Sequence, residues 1–356
     1  IIKVHRVHHS TPRIDRRMSV EESISKEEKN IFLSAASSGD CETIEKLVTD
    51  APGMLLVADA SGNSALHLAA RGGHLDAVKR LLQHGSQWNA LNNNNKSAAE
   101  ETADPVIYSA ILDEGVRSEL VLRILSVREG DARAESDYLS KPVRFEDGEL
   151  LDEHGKGVMM GWEAPIMDRT ASLLCPSEGL DVLNIGFGLG LIDSALQRYK
   201  PRSHTIIEAH PDVYAYMQKT GWTSKANVRV LFGRWQDVLD QLETYDAIYF
   251  DTYGEWYEDM HDFHENIPNL LREDGIYSFF NGLAATNPFF HDVSCRLVEL
   301  ELADMGMHID WVNMKIDPTE KEWKGVSHKY WVLKEYKLPL VRFQSQVAED
   351  AGVEAS

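Results

Sequence analysis

Cysteine is nearly absent. Cys41, Cys175 and Cys295 are spread over 356 residues and show no paired spacing. Neither a disulfide framework nor a zinc site is expected, no metal is expected, and the scarcity fits a reducing compartment. Basic charge is also short: 36 Lys and Arg stand against 57 Asp and Glu, a formal net charge of −21. That balance disfavours direct nucleic-acid binding and favours a cationic substrate or partner. No apolar run approaches the length of a membrane span, and no secretory signal is recognisable. No membrane partner is therefore expected, and the chain reads as soluble and intracellular. The dinucleotide fingerprint G-x-G-x-x-G is missing too, because Leu191 stands where its third glycine belongs. The fourth apolar run is not followed by N-P-P-[FY], the usual platform for methylating amide or adenine nitrogens.

What is present is organised around Leu180–Gly190. Val182, Leu183 and Ile185 make a short apolar run that reads as a buried strand. Gly186, Gly188 and Gly190 follow at alternate positions, a turn in which backbone can approach a nucleotide-like ligand closely. About twenty residues on, at the distance of a βαβ unit, a second run ends at Glu208, an acid placed to accept from ribose hydroxyls. Val228–Phe232 and Tyr245–Asp251 read as further strands, the latter ending in an acid, and Gly275–Phe280 as a fifth. Strands alternating with helix-length segments predict a doubly wound parallel sheet. Gly186–Gly190, Glu208, Trp235 and Asp251 would converge at its carboxyl edge. Ile309–Lys315 and Tyr330–Lys334 read as an antiparallel closing pair.

At 356 residues two domains are the default. The first half carries a repeat. Gly62–Ala70, Gly73–Leu82 and Gly85 resemble an ankyrin unit, with Ser64 in place to cap its first helix. Ala35–Val48 aligns with Ala69–Leu82, close to the roughly 33-residue ankyrin period, and Lys96–Glu100 with Val106–Leu112 makes a fainter third copy. We expect a disordered or foreign segment over 1–17, ankyrin-like repeats over 18–115 and a linker helix over 116–136. A catalytic domain follows over 137–343, then a disordered tail over 344–356. Asn92–Asn95 is a polar loop with no assigned role. His261 and His264 have a metal-pair spacing, but the helical pattern of Phe263, Ile267, Leu270 and Leu271 favours a surface or capping role.

Before the glycine turn stands Gly157–Met167, rich in Met, with Trp162 and Glu163. Met and Trp form soft apolar walls suited to a sulfonium and an adenine, or simply fill a core. Taken with Asn184–Gly188, Ile206–Glu208, Gly233–Asp237 and Tyr249–Tyr253, in this order, Val158–Met167 resembles guanidinoacetate methyltransferase from about Lys141 to Lys337. The repeats before it make the whole chain similar to the fungal type IV protein arginine methyltransferases, which act on the δ nitrogen (N5) of arginine.

The resemblance implies an α/β fold: an S-adenosyl-L-methionine (SAM)-dependent, Rossmann-like doubly wound sheet preceded by a small all-α ankyrin domain. It implies that Gly186, Phe187, Gly188, Leu189, Gly190 and Leu191 cradle the methionine part of SAM. Glu208, with Ala209 and His210, would meet the ribose; Trp235 and Gln236 would flank the adenine. Met159 and Met167 would line the pocket, covered by Tyr138 or Phe145. Glu163 and Asp251 would grip the guanidinium, Asp251 also bordering the cofactor. Paired carboxylates suit a planar fork of donors. The partner implied is a protein with an exposed arginine, basic or ribosomal, in cytoplasm and nucleus. The oligomeric state is open. Two alternatives stand beside this reading: a small-molecule guanidino methyltransferase, and a non-catalytic ankyrin adaptor. Intact Glu163 and Asp251 speak against the second.

Overall fold

The computed structural model describes residues 24–129, 138–253, 257–316 and 318–345. The expectations for 1–17, for the end of the linker and for 346–356 lie outside them. Among the described residues one compact unit holds 24–129 with 288–297, and the other holds 138–287 with 298–345.

The first unit is a helical stack. Helix α1 (Lys26–Ser38) opens with a capping box between Ser25 and Glu28 and stops at Gly39. Helix α2 (Cys41–Asp50) is capped by Asp40, whose carboxylate accepts from Thr43 N–H at 3.1 Å. Helices α3 (Ala65–Arg71) and α4 (Leu75–Gln83) repeat the pair. At α3 the closure runs through the ring of His67. Its Nδ1 accepts from Ser64 N–H at 3.2 Å, and its Nε2 meets the Lys96 carbonyl of the next unit at 3.1 Å. Burial pushes the His67 pKa down, in keeping with a neutral ring between those partners.

The third copy keeps only one turn, Ala99–Glu101, of its first helix. Helix α5 (Pro105–Glu129) then runs unbroken for 25 residues, so the segments read as a repeat helix and a linker helix are one element. Trp88 packs edge-on against Phe289 and Phe290 at 6.0 and 5.9 Å, and Tyr108 against Phe289 at 5.6 Å. Tyr108 also donates its hydroxyl to Asp292.

The Asn92–Asn95 loop proves structural. Buried Asn92 donates to Asn63 Oδ1 at 2.9 Å and Glu101 Oε1 at 2.8 Å, and its own Oδ1 accepts from the Asn94 and Lys96 amides. One side chain thus ties two units together.

The second unit opens with a three-stranded antiparallel sheet, β1 (Arg144–Glu146), β2 (Glu149–Leu151) and β3 (Gly157–Met160). Helix α6 (Ala164–Leu174) follows a short turn, with Pro165 in its first turn. The main sheet holds β4 (Asp181–Ile185), β5 (Ser203–Glu208), β6 (Val228–Phe232), β7 (Tyr245–Phe250), β8 (Leu271–Phe279), β9 (Met307–Lys315) and β10 (Glu335–Phe343). Helices α7 (Leu191–Gln197), α8 (Pro211–Lys219), α9 (Tyr257–His264) and α10 (Pro288–Asp304) connect them. The order is β6-β5-β4-β7-β8-β10-β9; the first five are parallel, and β10 is antiparallel to both neighbours. The chain winds outward from β4 through β5 and β6, then returns to β7 on the other side. The switch point therefore lies at the carboxyl ends of β4 and β7.

One expected strand is displaced. Tyr330–Lys334 has no strand structure; the closing partner of β9 is Glu335–Phe343. Pro339 lies within this strand, opposite Trp311 of β9, and β10 meets β8 through a single paired position, Val341 with Tyr277. Side chains alternate across β4: Val182 enters one apolar core with Met167 and Ile192, and Leu183 and Ile185 enter the other with Trp235 and Phe263. Among the described residues no helix is long and apolar enough to cross a membrane.

Replacing Asn92 by Ala should destabilise the repeat unit by about 1–3 kcal/mol, because several buried partners lose their bonds together. Chemical denaturation followed by far-UV circular dichroism would measure it; an unchanged midpoint would refute the stitching role.

Candidate active site

The glycine turn is built against the second acid. Gly186 has φ 91°, and a Cβ there would lie 1.9 Å from the Asp251 carbonyl oxygen. Asp251 N–H in turn donates to Ile185 O at 2.8 Å. A Cβ on Gly188 would meet Met159 Sδ at 2.8 Å, and Met159 Sδ accepts from Leu189 N–H at 3.2 Å. Phe187 is buried and packs on Trp222 at 5.3 Å, and Leu191 begins α7 behind Gly190.

At the end of β5 the buried Glu208 carboxylate accepts from Phe187 N–H at 2.9 Å and from His210 N–H at 2.6 Å. Burial raises its pKa against these bonds. Ala209 lies half-buried between them. The His210 ring packs on Tyr138 at 4.8 Å, and Tyr138 packs on Tyr253 at 4.8 Å. Tyr253 donates to Asp152 at 3.2 Å. Phe145 instead stacks on Tyr216 at 4.3 Å, so of the two aromatic candidates Tyr138 stands beside Glu208, His210 and the Asp251 loop.

Glu163 is 3% exposed. Its Oε1 accepts from Met160 N–H at 3.0 Å and from the Tyr330 hydroxyl. Burial pushes its pKa up to about 7 in spite of both bonds. Asp251 is half-buried, but its Oδ2 is sealed from solvent and has no hydrogen-bond partner among the described residues. Its pKa is well above the usual range, through desolvation first and the like charge of Glu163 second. Neither carboxylate has an ion-pair partner among the described residues. Met167 is fully buried beneath them and accepts from Tyr249 OH at 3.3 Å. Two acids largely withdrawn from water, with no counter-charge among the described residues, are chemically able to accept a cation.

The comparisons with known proteins fit this geometry. The guanidinoacetate N-methyltransferase family matches residues 132–290, and the three-copy ankyrin family matches 27–115. Protein arginine N-methyltransferase 2 of Aspergillus fumigatus is 36% identical, over 75% of this chain and 77% of its own. The protein of that name from Cryptococcus neoformans is 36% identical, over 87% of this chain and 94% of its own, and the one from Saccharomyces cerevisiae 32%, over 76% and 78%. The chain belongs to the protein arginine N-methyltransferase 2 family.

It is accordingly a SAM-dependent methyltransferase. Solved structures are more distant: M. jannaschii TYW2 in complex with AdoMet is 16% identical, with a TM-score of 0.36 over 56% of this chain and 84% of its own. The residues around the turn fit SAM. Gly188 brings bare backbone against the soft sulfur of Met159, and Glu208 adds an acid with acceptor capacity.

The switch point of the sheet gathers Gly186–Leu191, Met159, Met167, Glu163, Glu208–His210, Tyr138 and Asp251. Trp235 is placed differently. Its ring is in the core, edge-on to Phe263 at 5.2 Å and Phe250 at 6.5 Å, with Nε1 unpartnered, while Gln236 is exposed on the same short helical turn. Sequence reasoning missed Tyr330, and with it an aromatic cluster. Trp162 packs on Trp323 and Tyr330, each at 5.8 Å, and on Trp331 at 6.2 Å. The clustering of Trp323, Tyr330 and Trp331 after β9 was the available signal. His261 and His264 diverge: one faces Glu301 at 3.2 Å and the other Tyr277 OH at 3.0 Å.

Tyr330→Phe removes a bond that favours ionised Glu163, so the Glu163 pKa should rise above about 7. The acid limb of the kcat/KM profile should move to higher pH. A profile identical to the parent's would disconnect Tyr330 from the reacting acid.

Proposed function

We propose that this enzyme methylates the δ nitrogen (N5) of an arginine in a protein, with Glu163 and Asp251 gripping the guanidinium. One observation carries the reading: buried Glu163 and half-buried Asp251, whose Oδ2 is sealed from solvent, stand beside the glycine turn with no ion-pair partner among the described residues. Guanidinium is a planar fork of donors, more weakly hydrated than ammonium, so it matches two carboxylates and loses less on leaving water.

When bound, SAM supplies an electrophilic methyl group on its sulfonium. The residues of this chain do the rest. Gly186–Leu191 and Glu208–His210 hold the cofactor, with Met159, Met167 and Tyr138 around it. Asp251 fixes one edge of the guanidinium and Glu163 another, concentrating positive charge away from the nitrogen that reacts. As that nitrogen took the methyl, the methyl–sulfur bond would break with its electron pair left on a neutral thioether, and the proton the nitrogen sheds could pass to a carboxylate with a pKa near 7 at neutral pH. Alignment of nitrogen with the methyl supplies much of the remaining rate. The ankyrin repeats serve to bind the protein substrate. A basic partner such as a ribosomal protein, met in cytoplasm or nucleus, suits a net charge of −21.

The reading is tested by incubating the protein with methyl-labelled SAM and a basic protein extract, with guanidinoacetate and free arginine in parallel. Labelled protein is hydrolysed and the methylarginine isomer identified by fragmentation. δ-Methylarginine is expected; ω-methylarginine would overturn the regiochemistry, and label confined to guanidinoacetate would make this a small-molecule enzyme. The guanidinoacetate-methyltransferase match over 132–290 favours that second reading.

Two further outcomes follow from the carboxylate pair. Asp251→Asn should cut transfer by roughly a hundredfold or more while SAM binding stays measurable by calorimetry. The cation binds ionised Glu163, so protonation below about pH 7 opposes binding. KM for the guanidino substrate should therefore fall as pH rises from about 6 to about 8, and Glu163→Gln should flatten that dependence. A KM independent of pH in the parent enzyme would remove Glu163 from the substrate site.

A further inference from the structure

Behind the glycine turn lies a polar chain that the reaction proposed above does not use. Asn184 on β4, Asp193 on α7 and His204 on β5 are all fully buried. Asn184 Nδ2 donates to the Gly186 carbonyl at 2.8 Å and to Asp193 Oδ1 at 2.9 Å. Asp193 Oδ1 also lies 3.1 Å from His204 Nε2. The far nitrogen of that ring, Nδ1, is 3.0 Å from Gln197 Nε2, and Asn227 Nδ2 reaches Gln197 Oε1 at 3.4 Å. An amide nitrogen can only donate, so Gln197 sets His204 Nδ1 as an acceptor and leaves a proton on Nε2, which lies near Asp193 but makes no hydrogen bond among the described residues.

The direction of this chain matters at its other end. The Gly186–Phe187 peptide is held from both sides: its carbonyl by Asn184, and its N–H by Glu208 Oε2 at 2.9 Å. A peptide is rigid, so fixing the carbonyl fixes the N–H. Asn184 therefore sets where Glu208 finds its donor, and Asp193 sets Asn184, by taking the second amide proton and fixing the rotation of the amide group. Buried groups in such a linked set strengthen one another, and a lost member exposes the rest to an unmet bond.

We propose that Asn184 and Asp193 are positioning residues for SAM, clamping the Gly186–Phe187 peptide and through it the Glu208 carboxylate. The assignment rests on the reading that this turn holds the cofactor. Neither residue touches the reacting atoms.

Isothermal titration of SAM into the full chain tests it, with melting of the ligand-free protein and steady-state kinetics alongside. Asn184→Ser and Asp193→Ala should each weaken SAM about tenfold, the scale of one buried hydrogen bond. At saturating SAM, kcat should stay within about threefold of the parent, since the lost interaction belongs to binding. Asp193→Asn retains an oxygen that accepts from Asn184 and should restore most of the affinity. A structural role alone would lower the melting temperature of the variants and leave SAM affinity of the folded protein unchanged; that result overturns the proposal. So does an Asp193→Asn protein as weak as Asp193→Ala, for the part assigned to Asp193. If Asp193→Ala does not fold, Asn184→Ser decides. Gly188→Val separates this from the reading beneath it, because a valine would collide with Met159. Unchanged SAM binding in that variant would remove the turn as cofactor site. Binding lost there but intact in Asn184→Ser and Asp193→Ala would remove only the present proposal.

Discussion

Everything at this site depends on one contact that only glycine permits. The end of β4 and the end of β7 come so close that a Cβ on Gly186 would fall inside the Asp251 carbonyl oxygen. Asp251 is pinned there by its own amide, bonded to Ile185. The glycine turn and Asp251 are therefore neighbouring ends of two hydrogen-bonded strands, not two loops that meet by chance. In the function proposed above, the distance between the methyl donor and the acid that holds the acceptor would be set by sheet register, the stiffest coordinate the fold offers. Loop motion elsewhere changes access to the site without changing that distance.

The same site holds two acids largely out of water. An isolated buried carboxylate is unfavourable, and a second of like charge beside it is more so. Glu163 is relieved by a backbone amide and by Tyr330, yet its pKa still stands near 7. Asp251 keeps an oxygen with no hydrogen-bond partner among the described residues. Glu163 stands at the turn into α6 and Asp251 at the end of β7, both at the ends of regular elements of the fold. A cation that fits between them relieves the cost, and a planar guanidinium relieves more of it than a hydrated ammonium.

Much of this was legible in the chain. Parallel strands covered on both faces appear as plain apolar runs, so β4 to β7 could be placed nearly to the residue. The three glycines and the acids at Glu208 and Asp251 then fell at strand ends, where winding brings them together. The repeats were legible because each is a copy of the last. What escaped were features fixed by distant neighbours. Tyr330 sits in an apolar stretch that looked like a strand, and its bond to Glu163 joins residues far apart in sequence. Glu335–Phe343 escaped as a strand: Pro339 lies within it, and its thin β8 pairing has no local mark. Asn92 looked like one more loop asparagine, although its four bonds connect two repeats. Trp235 carried an aromatic signal that fits a ligand or a core equally well, and its ring lies in the core.

The aromatic end of the repeat stack has a consequence for how the chain is made. Trp88 and Tyr108 complete their packing with Phe289 and Phe290, which are encoded after five strands of the main sheet. Chains emerge from the ribosome amino end first, and N-terminal domains ordinarily fold as units before later ones appear. Here the first-made unit cannot close its last apolar face until the chain has been synthesised to about residue 297. Nascent chains that end before Phe289 leave Trp88 and Tyr108 without these packing partners even when all the repeats are present.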